Sequence, residues 1–242
     1  MPGNKKVFRM RMDNREDFYM NTLLVINMKD VFINLIVGVV IWLAVTFLIC
    51  RYYEARFEEK MIKGRKDTFA TLMSGVLSAA VMGLFTIYGY TLIHSISLII
   101  LLSALMGISR IDKKYQIIPN RILMILFAIR ILTIGGEIFI DKADMLVVIL
   151  SSILGVIYGS IVFLIIRLFS KDSIGMGDIK LFAVIGLYIG STAILPAMFM
   201  TSIFALVYGV VMIAKKAISK KDTMSFGPFI AAGTIVTMIL GI

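Results

Sequence analysis

Long uncharged apolar runs separated by short polar stretches divide the chain from Val31 to its end. Val31 to Cys50 is 20 residues without a charge, the length a helix needs to cross a hydrocarbon core of ~30 Å. Thr68 to Ser109 runs for 42 residues without an acidic or basic side chain other than His94. A single helix of that length would measure ~63 Å, twice the core, so the run predicts two spans with a turn near Tyr88-Gly89-Tyr90. Ile122 to Gly136 is apolar around Arg130, and Met145 to Ile166 is a further uncharged span of 22 residues. Leu181 to Ala214 is 34 residues, again too long for one crossing, and Gly190-Ser191-Thr192 with Pro196 supplies its turn. Thr223 to Ile242 is a last run of 20. The pattern predicts about eight transmembrane helices. Transmembrane barrel strands alternate in polarity and do not give such runs.

Composition agrees with that pattern. The 242 residues are 60% hydrophobic and 17% charged, with a mean hydropathy of +0.96, whereas a soluble domain is about half apolar and a quarter charged. The fold class is therefore all-α, a polytopic helical membrane protein in contact with a lipid bilayer. The single cysteine excludes an intramolecular disulfide framework and a multi-cysteine zinc site. A net charge of +10 would suggest nucleic acid in a soluble protein. Here the basic residues sit in short clusters between apolar runs, which is how a membrane protein sets its orientation; nucleic acid is discarded.

Alternate loops carry Arg51, Arg56, Lys60, Lys63, Arg65 and Lys66; then Arg110, Lys113, Lys114 and Arg121; then Arg167, Lys171 and Lys180; then Lys215, Lys216, Lys220 and Lys221. The intervening loops carry Lys142 alone. The basic side reads as cytoplasmic, with both termini outside. Residues 1–30 form a polar N-terminal extension, 31–67 a first span with a short cytoplasmic connector, and 68–242 the remaining core. The first apolar stretch is of full span length with no small-residue cleavage site after it, so it is not a cleavable signal peptide. The 17 methionines are scattered through the spans and read as packing.

Most acidic residues fall in the N-terminal tail, the first connector or an outer loop containing Glu137, Asp141 and Asp144, where solvation explains them. His94 reads as an outer-loop residue, and Arg130 as a snorkelling cation or a partner of Glu137, two turns away on a similar face. Two acids on the basic side have unusual surroundings. Asp112 lies in Ser109-Arg110-Ile111-Asp112-Lys113-Lys114, shortly before Ile118-Pro119-Asn120 opens the next span. Alone it reads as an interfacial acid balanced by lysines. Asp178 lies in Gly175-Met176-Gly177-Asp178-Ile179-Lys180-Leu181, where glycines permit sharp turns and close approach by another chain. Alone it reads as a helix cap. If the following run turns near Gly190, the span after Asp178 has only about 12 to 18 residues, ~18 to 27 Å. That is shorter than the core, so Asp178 is drawn below the membrane surface, where an ionisable group is a functional candidate. A third feature is Ser225-Phe226-Gly227-Pro228-Phe229, a helix entry that bares backbone on the same side.

In sequence and order, these three blocks resemble the type IV prepilin peptidase family, intramembrane aspartyl proteases with a Gly-x-Gly-Asp motif. The resemblance spans about Thr68 to Ile242, so residues 68–242 would be the protease core. It implies an aspartic endopeptidase that removes leader peptides from prepilins or pseudopilins at the cytoplasmic face of a prokaryotic cytoplasmic membrane. By motif position the catalytic pair is Asp112 and Asp178, with Pro119, Gly175, Gly177, Lys180, Gly227 and Pro228 in support. Gly175 and Gly177 would admit the substrate backbone, and Lys180 would fix local charge. Proteolysis of this kind needs no cofactor or metal. Bifunctional members also N-methylate the product and carry paired cysteines for zinc in the first cytoplasmic loop. Residues 51–67 hold no cysteine, so the chain is a short form without that motif, and S-adenosylmethionine enters only if methylation is retained.

Two other readings use the same acids. A presenilin or signal-peptide-peptidase type protease also has Gly-x-Gly-Asp, but pairs it with Tyr-Asp and Pro-Ala-Leu; here Ile111 precedes Asp112 and neither motif occurs. A proton-coupled transporter would use Asp112 and Asp178 as relay groups, often with an inverted repeat, and none is visible.

Overall fold

The computed structural model describes residues 28–58, 60–62, 64–169, 175–216 and 224–241. The polar extension, apart from a helix start at Met28, lies outside these residues, as do Lys63, Lys171, Lys220 and Lys221. The described chain forms seven helices: α1 (Met28–Phe57), α2 (Arg65–Ile87), α3 (Leu92–Tyr115), α4 (Asn120–Phe139), α5 (Met145–Phe169), α6 (Met176–Ala214) and α7 (Gly227–Leu240). The first six are long and apolar enough to cross a membrane; α7 is shorter, at 14 residues.

Helix boundaries follow local chemistry. The α2–α3 run folds back as the sequence predicts: α2 ends at Ile87, and Gly89 turns with φ +75° before Thr91 caps α3 by accepting from the His94 N–H. α7 starts four residues later than the apolar run because Gly227-Pro228 sets its first turn, and Gly241 in the left-handed region ends it. α1 continues past Cys50 to Phe57, so much of the expected connector is helix. That extra length docks: the Phe57 ring stacks on Tyr115 at 4.1 Å and the Tyr53 hydroxyl donates to that of Tyr115 at 3.2 Å.

The expected turn in the 34-residue run is a backbone break within α6. Gly190 has φ 76° and ψ −176°, a conformation open to glycine at little cost. The chain reverses there. Before the break, α6 runs antiparallel to α5, with Gly190 beside Ser151, Gly186 beside Gly155 and Phe182 beside Gly159. After it, Ile194 returns to Gly159, Thr201 packs on Gly233 and Tyr208 meets Phe229. α6 is thus two arms, 176–189 and 191–214. Pro196 lies in the second arm and is not the turn.

α3 is the central helix. Ile99, Leu101, Leu102, Ile108 and Ile111 are fully buried in it, and α1, α2, α4 and α7 surround it. α5 and the second arm of α6 expose Leu146, Leu150, Phe199, Leu206 and Val210, the outward apolar surface a bilayer would cover. Helices alternate direction, so Arg110, Lys113, Arg121, Arg167, Lys180 and Lys215 fall at one end of the bundle and Lys142 at the other.

Candidate functional site

The end of the bundle that gathers the basic residues also gathers the three motifs. Asp112 lies in the last turn of α3, 5% exposed. The chain leaves α3 through Gln116 in the left-handed region and re-enters helix at Pro119, the extended cap of α4. Ile118 is buried between them.

Asp112 is held by the start of α7. The Gly227 N–H donates to its Oδ2 at 2.7 Å, and the Phe226 N–H donates to the same carboxyl. Amides in a first helical turn have no partner within the helix and favour negative charge. This contact explains Gly227, because a Cβ there would sit 2.8 Å from Asp112 Oδ2 and 2.9 Å from its Cβ. Pro228 follows within the first turn, where a missing N–H costs nothing. The late Phe-Gly-Pro-Phe block therefore belongs to the aspartate from α3, a link that its helix-breaking composition alone does not disclose.

Asp178 lies at the third position of α6. Gly175 is the cap, in extended conformation (φ −65°, ψ 140°). The Asp178 N–H donates to the Gly175 carbonyl at 3.1 Å, and the Gly175 N–H donates back to the Asp178 carboxyl. That is the returning half of a capping box, with aspartate at the third helical position; glycine has no side chain for the other half. Asp178 is half-buried, and it lies close enough to Asp112 for their charges to interact. Two acids 66 positions apart are thus together at one end of the molecule, each on amides of a helix start.

The remaining motif residues take more structural parts. A Cβ on Gly177 would meet the Ile118 Cβ at 3.1 Å, so this glycine admits the α3–α4 segment. Lys180 is exposed and donates to Asn120 Oδ1 at 3.4 Å, tying α6 to the start of α4. Among the described residues, no group of three or more His, Cys, Asp or Glu side chains is placed to hold a metal.

The other end holds a cavity of about 310 Å³ lined in part by His94, Arg130, Glu137, Ser151, Tyr188 and Gly190. Here two expectations are corrected. His94 is in the first turn of α3, not in a loop, and Glu137, expected to be solvated, is 4% exposed. Glu137 is buried because Arg130 pairs with both of its oxygens and His94 Nδ1 bonds Oε1 at 2.9 Å. The Arg130–Glu137 pairing is as the sequence spacing suggests.

Comparison with known proteins bears on this geometry. The model of the type IV leader peptidase family matches residues 98–210, which include both aspartates. A prepilin leader peptidase/N-methyltransferase of Bacillus subtilis is 28% identical over 143 residues, 59% of this chain and 55% of that protein. One of Burkholderia pseudomallei is 27% identical over 180 residues, 74% of this chain and 56% of its own. One of Pseudomonas aeruginosa is 24% identical over 151 residues, 60% and 49%. The chain spans about half the length of the curated relatives it matches. No solved structure matches it.

Proposed function

We propose that the chain, whose residues 98–210 match the type IV leader peptidase family and which is similar to prepilin leader peptidases, is an intramembrane aspartyl endopeptidase. It removes leader peptides from type IV prepilins or prepilin-like proteins at the cytoplasmic face of a prokaryotic membrane, with Asp112 and Asp178 as its catalytic pair. The reading rests on one observation: two acids from separate helices, each held at a helix start, lie at the end of the bundle where basic residues collect.

The chemistry follows from two carboxyls that interact. Both cannot ionise cheaply at short range, so the pair shares a proton. The ionised member accepts a proton from water as that water attacks the scissile carbonyl, and the protonated member donates to the carbonyl oxygen; as the resulting diol collapses, the first member passes its new proton to the leaving amine and the second recovers its own from the diol hydroxyl. Phe226 and Gly227 fix one carboxyl by its amide contacts, and Gly175 fixes the other. Preset orientation of the reacting groups is where such a site gains rate. A coupled pair titrates as a unit, so the acid and base roles are assigned to the pair.

Co-expression with a prepilin and an anti-pilin blot tests this. Asp112→Asn and Asp178→Asn should each leave the precursor uncut while the protein accumulates in the membrane. Normal processing by either variant would remove that residue from the pair, and transport surviving loss of cleavage would favour a proton-coupled carrier. Methylation by this chain would require S-adenosylmethionine, and mass spectrometry of the product's new N-terminus reads it directly.

A further inference from the structure

The break at Gly190 changes two hydrogen bonds, and the new partners define a device. In an unbroken helix the Ser191 N–H would donate to the Leu187 carbonyl. With Gly190 non-helical, the Ser191 N–H donates instead to Ser151 Oγ at 3.3 Å. The Leu187 carbonyl receives Arg130 Nε at 3.1 Å. One turn of the same arm is tied to α4 again, because the Tyr188 hydroxyl donates to the Leu126 carbonyl at 2.7 Å. A guanidinium on the last carbonyls of a helix also complements its negative end.

Arg130 cannot drift from this position. It is 2% exposed, donates to Ser97 Oγ and Thr133 Oγ1, and pairs with Glu137. Its guanidinium also lies 5.6 Å from the centre of the Tyr188 ring. His94 Nδ1 bonds the same Glu137 oxygen as Arg130 Nη1. This cluster fastens α3, α4 and the first arm of α6 together at one end. The other end of that arm carries Asp178, nine residues from Leu187, or ~14 Å along the axis.

We propose that Arg130, set by Glu137 and His94, is a positioning residue for Asp178. It caps the far end of a 14-residue arm and thereby fixes the arm's axial register against α3, the helix that carries Asp112. This rests on the peptidase reading only for its catalytic consequence; the register itself is a separate observable.

Two readouts test it. For the first, Cys50→Ser, Ile118→Cys and Gly177→Cys are combined, since the Cβ positions at 118 and 177 are adjacent. Oxidation should link them, and adding Arg130→Lys should lower the rate severalfold, because one ammonium cannot serve both Glu137 and Leu187. Arg130→Ala should lower it further. For the second, in the protein with its native residues at 50, 118 and 177, Arg130→Lys should lower kcat about tenfold, ~1.4 kcal/mol in the barrier. KM should stay constant and the pH profile of kcat should shift, since the spacing of the carboxyls has changed. A purely structural role would lower the amount of folded protein and leave crosslinking rate per folded molecule and pH profile unchanged. That result for the membrane-inserted Arg130→Lys variant overturns the proposal. Failure of the unsubstituted protein to cut any prepilin would overturn the peptidase reading instead, and crosslinking would still decide the register.

Discussion

At the level of single residues, the site depends on atoms that the sequence does not display as reactive. Gly227 is the clearest case. A methyl there collides with Asp112 and pushes the α7 amides from its carboxyl. Gly227→Ala should cut prepilin cleavage at least tenfold, more than ~1.4 kcal/mol of barrier, with the protein still inserted; activity within twofold of the parent would show that the contact does not orient Asp112. The pair should also give a bell-shaped dependence of kcat on pH. Below its range both carboxyls are protonated and neither accepts a proton from water; above it both are ionised and neither donates. Alone, Asp112 and Asp178 read as an interfacial acid and a helix cap; the order of the three motif blocks is what marks them in the sequence as a candidate pair. The amides of Phe226 and Gly227 are not legible there, since backbone N–H groups look alike in every residue but proline. The tie from Arg130 to Leu187 is hidden for a related reason: its acceptor is a carbonyl freed by a backbone break, not a side chain.

Helices add a second kind of information. Run length gave the turns at Tyr88–Tyr90 and near Gly190, because hydrocarbon thickness limits any one crossing. It could not give the form of the second turn, which needs a single residue at positive φ. Gly190→Leu should therefore destabilise the protein by at least ~1 kcal/mol through strain in the left-handed region, with further loss from collision with Ser151, measured as a lower unfolding temperature in detergent. Unchanged stability would mean that the backbone at 190 relaxes without cost. The extension of α1 to Phe57 was also beyond the apolar pattern, since Arg51, Glu54 and Arg56 break it. Tyr53 and Phe57 recover that length by packing against Tyr115, three residues beyond Asp112. Phe57→Ala removes the stacked ring, worth ~0.5–1.5 kcal/mol beyond its buried area. It should lower the unfolding temperature while leaving residual activity, whereas Gly227→Ala should do the reverse.

Across the described residues, the two helix segments whose starts meet the aspartates are the shortest. The first arm of α6 and α7 each have 14 residues before Gly190 and Gly241, or ~21 Å against a core of ~30 Å. Their far ends lie together, since Ile189 and Met238 line the same small cavity. With those ends near one membrane boundary, their starts fall short of the other by several ångströms. α3 and α5, at 24 and 25 residues, are long enough to reach past them. Polar groups at that depth are stable only where water or protein serves them, and the proposed hydrolysis would use water reaching them. Under the proposed topology, the basic residues at this end face the cytoplasm. In a Cys50→Ser background, Asp178→Cys should react with a membrane-impermeant maleimide in inverted vesicles and resist it in intact cells. Phe182→Cys, one turn deeper and fully buried, should resist in both. Labelling of position 178 from outside the cell would invert the topology. Resistance at 178 in both preparations, while the catalytically intact parent still cleaves, would mean that water reaches the scissile bond by another route.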